Sequence, residues 1–503
     1  MKKRNAIFRT VIASAVLAVV GSAYASGTLT GTAASIFATQ NFGATSTAAA
    51  EIVPGAVSYV FNTPGGIVIN PAGVINMYFR LGNGATFTAA PAAAEFSTSS
   101  IAMVLGMTVG APTLSTDKTT IVVPFSNATA VNITIGVGGT AKWVPVATKA
   151  VSTVNTVLNT VGGVVTASGS ASVLAALAGA GMNATVALPA DVDGPATPAA
   201  TIATAASAIT ATVTATGATE TQKIDVTASP SQTKTTTGVN TASLTIVNFG
   251  SYAFADVAGP LAVDGVTPYT VASQYGAAAG GAVATGNFGA AGTVNLFTNP
   301  ACTAAVAAGN VGVLNVGKTT ATFTGVTKAA TGIATYVCYT VNGTAAIPVT
   351  TPTLTTSLTP TTTTHATPAG SGTLYALGLN GASVDVRSYI PAAATGYASY
   401  VRIVNTGSTL SPISVAVIDQ TTGVAGTSAV LGTLAAGAAK TYLASDIETA
   451  VGALAANARP RLRITAPTSS IQVQSFMSSP NGTFTDMSGG QLSNPTGVTI
   501  TGN

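Results

Sequence analysis

Residues 75–81 alternate strictly. Ile75, Met77, Phe79 and Leu81 fall on one parity, and Asn76, Tyr78 and Arg80 on the other. A period of two puts each set on one face of a strand, so this segment predicts a half-buried β-strand. Asn83-Gly84 then supplies a turn. Residues 119–125 and 131–137 predict a further strand pair, joined by Ser126-Asn127-Ala128-Thr129. We read 26–141 as an N-terminal β domain.

The period changes at about residue 142. Val151, Val154, Leu158 and Val161 recur at helical spacing, Gly162-Gly163 offers a stop, and 172–179 is rich in Ala and Leu. These features predict one or two short helices in an insertion spanning 142–200, which ends in a Pro/Ala-rich loop. Strand signals resume in 201–347. Thr alternates with Ala or Val over 210–216, and 243–249 reads as a strand ending in a turn at Gly250. The stretch 348–372 is Thr/Pro-rich, which predicts an extended linker or an edge segment and a domain boundary.

The C-terminal block, 373–503, carries the most regular pattern. Strand candidates are 384–389, 400–405, 413–419, 429–434, 461–465 and 471–476, and Ser445-Asp446-Ile447-Glu448 fits a capping box opening a short helix. Short strands at regular spacing with turn signals predict a sandwich. The expected fold class is therefore mainly β: a multi-domain, immunoglobulin-like β-sandwich architecture with a short helical insertion. Ile403-Val404-Asn405-Thr406-Gly407-Ser408 echoes Ile246-Val247-Asn248-Phe249-Gly250-Ser251. Two strands ending in the same Asn-x-Gly turn explain the echo; shared descent of two modules is the alternative.

Composition narrows the function. Charged residues make up 6% of the 503, with one His, one Trp and two Cys, against roughly a quarter charged in ordinary domains. Lys2, Lys3, Arg4 and Arg9, an apolar stretch to about Val20, and Ala23-Tyr24-Ala25 read as a secretory signal covering 1–25. That signal holds four of the 18 bases and none of the 14 acids, so the expected mature chain carries 14 of each. The sequence pI of 9.0 then belongs to the precursor. No basic run remains for nucleic acid, and self-association meets no long-range repulsion. Mean hydropathy is +0.51, yet no second stretch reaches the ~20 apolar residues of a membrane-spanning helix. Cys302 and Cys338 predict one disulfide in an exported chain, two buried thiols being the alternative.

Candidate chemistry is sparse. His365 lies in the Thr/Pro stretch, a poor place to orient a catalytic base. Residues 312–319 spell G-x-x-x-x-G-K-[ST], but a Thr-rich strand comes next where a phosphate loop needs a helix, so strand-turn-strand is expected. Asp191-Val192-Asp193-Gly194 resembles half a calcium loop; the alternative is a polar turn. Asp446 and Glu448 suit helix capping better than paired-carboxylate hydrolysis. Arg387, Arg402, Arg461 and Arg463 gather in the C-terminal block. Arg461 and Arg463 project from one strand face, either toward a neighbouring subunit or surface glycan or as a solvated face with apolar stems laid down. Sequons such as Asn127-Ala128-Thr129 arise by chance in so Thr-rich a chain. No catalytic residue and no cofactor other than calcium is expected.

The signal at 1–25, the Ala/Thr/Gly/Val palette, the near absence of His, Trp and Cys, and the β-modules together resemble bacterial surface-layer proteins. The resemblance is compositional and runs the full length. It implies a secreted structural protein that assembles with itself on the cell exterior. Obvious acidic calcium repeats and a recognisable wall-binding repeat are missing from the pattern. The alternative expectation is a surface adhesin or carbohydrate-binding module, which would show an exposed aromatic or acidic site. An outer-membrane barrel fits poorly, because Gly, Pro and poly-Thr interrupt the alternation.

Overall fold

The computed structural model describes residues 27–31, 34–43, 51–62, 65–98, 106–145, 151–152, 154–174, 191–193, 200–217, 219–277, 279–289, 292–362, 365–421, 423–488 and 492–493. The expected signal at 1–25 lies outside them. The chain is mainly β and forms sandwiches whose strands pair antiparallel, except that Ser35–Ala38 pairs parallel with Ala200–Ala206. It divides into two compact units. One comprises 1–209 with 256–274 and 360–367; the other comprises 210–255, 275–359 and 368–503.

Nine strands of the first unit carry its sandwich: β1 (Thr28–Gly31), β2 (Val57–Val60), β3 (Val74–Leu81), β4 (Phe96–Thr98), β5 (Thr113–Leu114), β6 (Thr120–Asn127), β7 (Thr140–Trp143), β8 (Val164–Leu174) and β9 (Ala200–Ala206); shorter strands flank them. One sheet runs β1-β2-β7-β4, and the other contains β9-β8-β3-β6 with β5 paired to β6. The alternation in β3 behaves as predicted. Ile75, Met77, Phe79 and Leu81 are buried and Asn76, Tyr78 and Arg80 lie on the opposite face. Trp143 packs against Phe79 and Phe87 in the same core.

The second unit repeats the order of these nine strands. Its strands are β10 (Ile209–Ala215), β11 (Ile246–Asp256), β12 (Gly280–Thr285), β13 (Gly292–Phe297), β14 (Val313–Leu314), β15 (Thr320–Val326), β16 (Thr335–Val341), β17 (Thr353–Leu358) and β18 (Ala369–Thr373). The sheets run β10-β11-β16-β13 and β14-β15-β12-β17-β18. Adding nine to each strand number of the first module gives the second. The β5–β6 and β14–β15 hairpins share local bonds too. Ser115 N–H donates to Thr120 O (2.9 Å) and Lys118 N–H to Ser115 O (2.9 Å); Asn315 N–H donates to Thr320 O (3.0 Å) and Lys318 N–H to Asn315 O (3.0 Å). Lys118 and Lys318 both adopt positive φ, 59° and 55°. Phe87 and Phe288 donate their N–H groups to Lys118 O and Lys318 O, and their rings lie 5.4 Å from Trp143 and 5.9 Å from Tyr339. Leu114 through Thr120 and Leu314 through Thr320 share Leu, then Lys-Thr-Thr, at equal spacing. The phosphate-loop spelling at 312–319 is thus one of two matching hairpin turns, strand-turn-strand as expected.

A third sandwich comes after these, with a different strand order. Its strands are β19 (Ala382–Val386), β20 (Ala398–Asn405), β21 (Ser411–Ile418), β22 (Ala429–Leu434), β23 (Ala439–Leu443), β24 (Arg461–Ala466), β25 (Ile471–Ser478) and β26 (Phe484–Asp486). They form the sheets β19-β24-β21-β22 and β23-β20-β25-β26 around Val401, Ile403, Ile413, Val415, Leu462 and Ile464. Most of the C-terminal strand predictions hold to within one or two residues. The helix Ala444–Val451 buries Ile447, but its cap differs from the expected box. Leu443 is the N-cap, and Asp446 accepts the Leu443 N–H at 2.9 Å.

Several expectations are corrected. The described residues of the insertion at 142–200 are mainly strand. Among its described residues the helix is the single turn Asn155–Leu158, and β8 and β9 join the larger sheet. Residues 175–179 lie outside the described residues. The segment 131–137 does not pair with β6. Ile133–Ile135 pairs with Ile67–Ile69, and β6 pairs with β3. Of the two readings of 348–372 the linker is overturned and the edge segment holds for β18, an edge strand, while β17 beside it is a central strand. Leu354, Thr356 and Leu358 point inward from β17, so Thr acts here as a β-branched strand former. The strand expected to stop at Gly250 continues to Asp256 through a bulge between Asn248 and Gly250.

Segment 219–245 has little regular structure and is organised by Glu220, a buried carboxylate. Its Oε1 accepts the N–H groups of Thr221 (2.9 Å), Gln222 (3.0 Å) and Val239 (3.0 Å), and its Oε2 accepts Asn240 Nδ2 (2.8 Å) and N–H (3.2 Å). Burial opposes the charge, but the donors from Gln222, Asn240 and Val239 outweigh it, and the pKa is held below the ordinary 4.5. A depressed folded pKa gives stability that is fully present above the unfolded value and is lost as pH falls through the folded one. Glu220→Gln is expected to lower the urea midpoint of the second unit at pH 7 and to flatten its decline below about pH 4.5. An unchanged acid limb in the variant would count against this role.

Candidate interaction faces

The outward face of the sheet β14-β15-β12-β17-β18 carries rows of small hydroxyl side chains. Register aligns Thr320, Thr285, Thr353 and Thr373 in one row across four strands. The next row is Thr322, Val283, Thr355 and Ser371, and the third contains Gly281, Ser357 and Ala369. Gly281 has no side chain to fill the space between them, which leaves an open groove of about 520 Å³ also lined by Thr324. None of these positions holds a charge. Each offers a methyl group, a hydroxyl or bare backbone, so the face can meet another neutral surface without burying a charge, the hydroxyls pairing across the contact.

The outward face of β23-β20-β25-β26 is aromatic. Leu443, Tyr400, Phe476 and Asp486 form one row, and Ala398, Ser478 and Phe484 the row beside it. The Tyr400 and Phe484 rings lie 5.8 Å apart. Phe484 is 65% exposed, Leu443 47% and nearby Tyr397 42%. On the other side of Tyr400 the row is Thr441, Arg402 and Gln474. Arg402 has no hydrogen-bond or ion-pair partner among the described residues. Reading the sequence did not anticipate this cluster. Its signal lay in the minority parity: Tyr400 and Phe476 are large apolar residues out of phase with buried Val401, Ile403 and Val473.

Arg461 and Arg463 do share a strand face, but they turn to Asp385 of their own chain. Arg463 Nε lies 2.8 Å from Oδ1 and its Nη2 3.0 Å from Oδ2, while Arg461 Nη2 is 3.1 Å from Oδ2. Cross-strand register places Asp385 directly opposite Arg463. The same face buries Ala416 and Ile418, which sit opposite Arg463 and Arg461 on β21. Arg402 lies on the other sheet, and Arg387 is exposed beyond β19.

Asp191 and Asp193 fall on the short strand Asp191–Asp193, which pairs with β8. The backbone there is a strand, not the expected loop or turn. Glu448 accepts Ala392 N–H (2.6 Å) and Tyr389 O–H (3.2 Å), which fastens residues 389–392 to the helix. Burial, and then the Glu448 charge, raise the Tyr389 pKa. His365 is held rather than loose: its Nδ1 lies 3.2 Å from Tyr269 Oη, and burial lowers its pKa.

Cys302 and Cys338 form a disulfide, with Cα atoms 6.2 Å apart. Cys338 lies on the outward face of β16, between Asn248 of β11 and Asn295 of β13. Asn248 Nδ2 also donates to Pro300 O (2.8 Å), so two neighbouring strands hold the same loop. Among the described residues no helix is long and apolar enough to cross a membrane. Comparison with known proteins gave no matching family model and no matching curated protein.

Proposed function

We propose that this chain is an exported structural protein that assembles with copies of itself into an array at a bacterial cell surface. The uncharged Thr face of the second sandwich carries the reading. It is four strands wide and recessed at Gly281, and its hydroxyls and methyls suit a second neutral sheet. Duplicated sandwiches joined to a third give a chain several faces through which open, heterologous contacts can extend. The signal-like start and a neutral mature chain support the same reading.

Thr324→Lys/Thr355→Lys places two cations on this face at exposed positions. The concentration needed for assembly, read by light scattering and negative-stain microscopy, is expected to rise about tenfold or more. Circular dichroism should be unchanged, because neither side chain points into the core. Arrays forming at the parent concentration in the variant would overturn the role of the face.

A further inference from the structure

We infer that the outward face of β23-β20-β25-β26 is a two-fold contact between copies of this chain, an inference that rests on the self-assembly reading. The patch has the anatomy of an interface. Exposed Phe484 and Leu443 and half-buried Tyr400 and Phe476 form an apolar centre, and polar residues stand at the margins. Opposite charges occupy separated ends. Arg402 sits one row along β20 from Tyr400, and Asp486 sits in Tyr400's row two strands away on β26. Strand spacing and side-chain repeat put them about 12 Å apart, out of reach of each other within one chain.

Charge complementarity selects the occupant. A two-fold axis lying in the face and passing beside Phe476 exchanges the two ends. Arg402 of each copy then meets Asp486 of the second copy, and the pair forms twice. The aromatic centres stack across the axis. Asp486 accepts the Ser488 N–H at 2.8 Å, which holds its carboxylate ionised and in place. Arg402, with no partner among the described residues, supplies the cation.

The test uses the full exported chain in analytical ultracentrifugation over a range of concentrations. Arg402→Asp and Asp486→Arg are each expected to weaken dimerisation about tenfold or more, because each sets like charges together twice. The double swap Arg402→Asp/Asp486→Arg should return affinity to near the parent value, an outcome that general damage to folding cannot produce. Phe484→Ser should weaken the dimer without rescue by the swap. A parent protein that self-associates equally well with all four variants overturns the assigned face and leaves the assembly reading standing. A parent that stays monomeric at every concentration and forms no array overturns both. A monomer that binds a glycan array through Phe484 also overturns the two-fold contact and assigns the face to carbohydrate.

Discussion

Asn127→Ala is expected to destabilise the first unit by about 3 kcal/mol, as several buried polar groups lose their partners. Asn127 ends β6 and is 2% exposed. Its Nδ2 donates to Ile69 O (3.0 Å), Asn70 O (3.1 Å) and Val131 O (2.8 Å), and its Oδ1 accepts Thr129 N–H (2.8 Å) and Oγ1–H (2.6 Å). One side chain thus joins a strand end to two separate segments. Asn127→Asp keeps the shape but turns a carboxylate oxygen toward the carbonyls, and should cost at least as much. Trp143, the single tryptophan, is buried in the same core, so its fluorescence during urea unfolding reports on this unit. A loss below about 1 kcal/mol would show that water replaces the side chain without strain. Burial also makes the Asn127 sequon a poor acceptor for a glycan in the folded chain.

Removing the disulfide through Cys302→Ala/Cys338→Ala is expected to cost about 3–4 kcal/mol, the chain-entropy value for a separation of this size. The separation is 36 residues. Both cysteines are buried, and the bond pins the loop after β13 onto the outside of β16. Two readouts apply: the urea midpoint of the second unit, and amide exchange over 298–305, which should quicken. An unchanged midpoint with unchanged exchange would mean that Asn248 alone holds the loop through Pro300.

Asn248 and Asn405 show how far local reading reaches. Their shared Asn-x-Gly spelling does encode a shared turn: each Oδ1 accepts the N–H of the Gly two residues on, at 2.9 Å and 3.1 Å. Beyond the turn the two chains part. After Asn405 strand β20 ends, whereas after Asn248 the strand bulges and continues. Nothing in either hexapeptide states whether a partner strand waits beyond it. Here the partner is β16, whose Cys338 pairs with Asn248 from far along the chain.

The sequence by itself determined the β class, the inward and outward parity of β3, the positions of most C-terminal strands, the turn at 315–318 and the Cys302–Cys338 pair. Each comes from a period, a turn residue or a count confined to a short window. Only the tertiary structure decided that 164–174, 353–358 and 369–373 are sheet, since Val, Thr and Ala serve either state and the pairing strand settles the choice. It decided equally that Arg463 faces Asp385, that the first two sandwiches share one strand order, and that Tyr400, Phe476 and Phe484 meet on one face. These depend on which strands lie side by side. That arrangement comes from burying several inward faces at once, and no single window of the chain contains it.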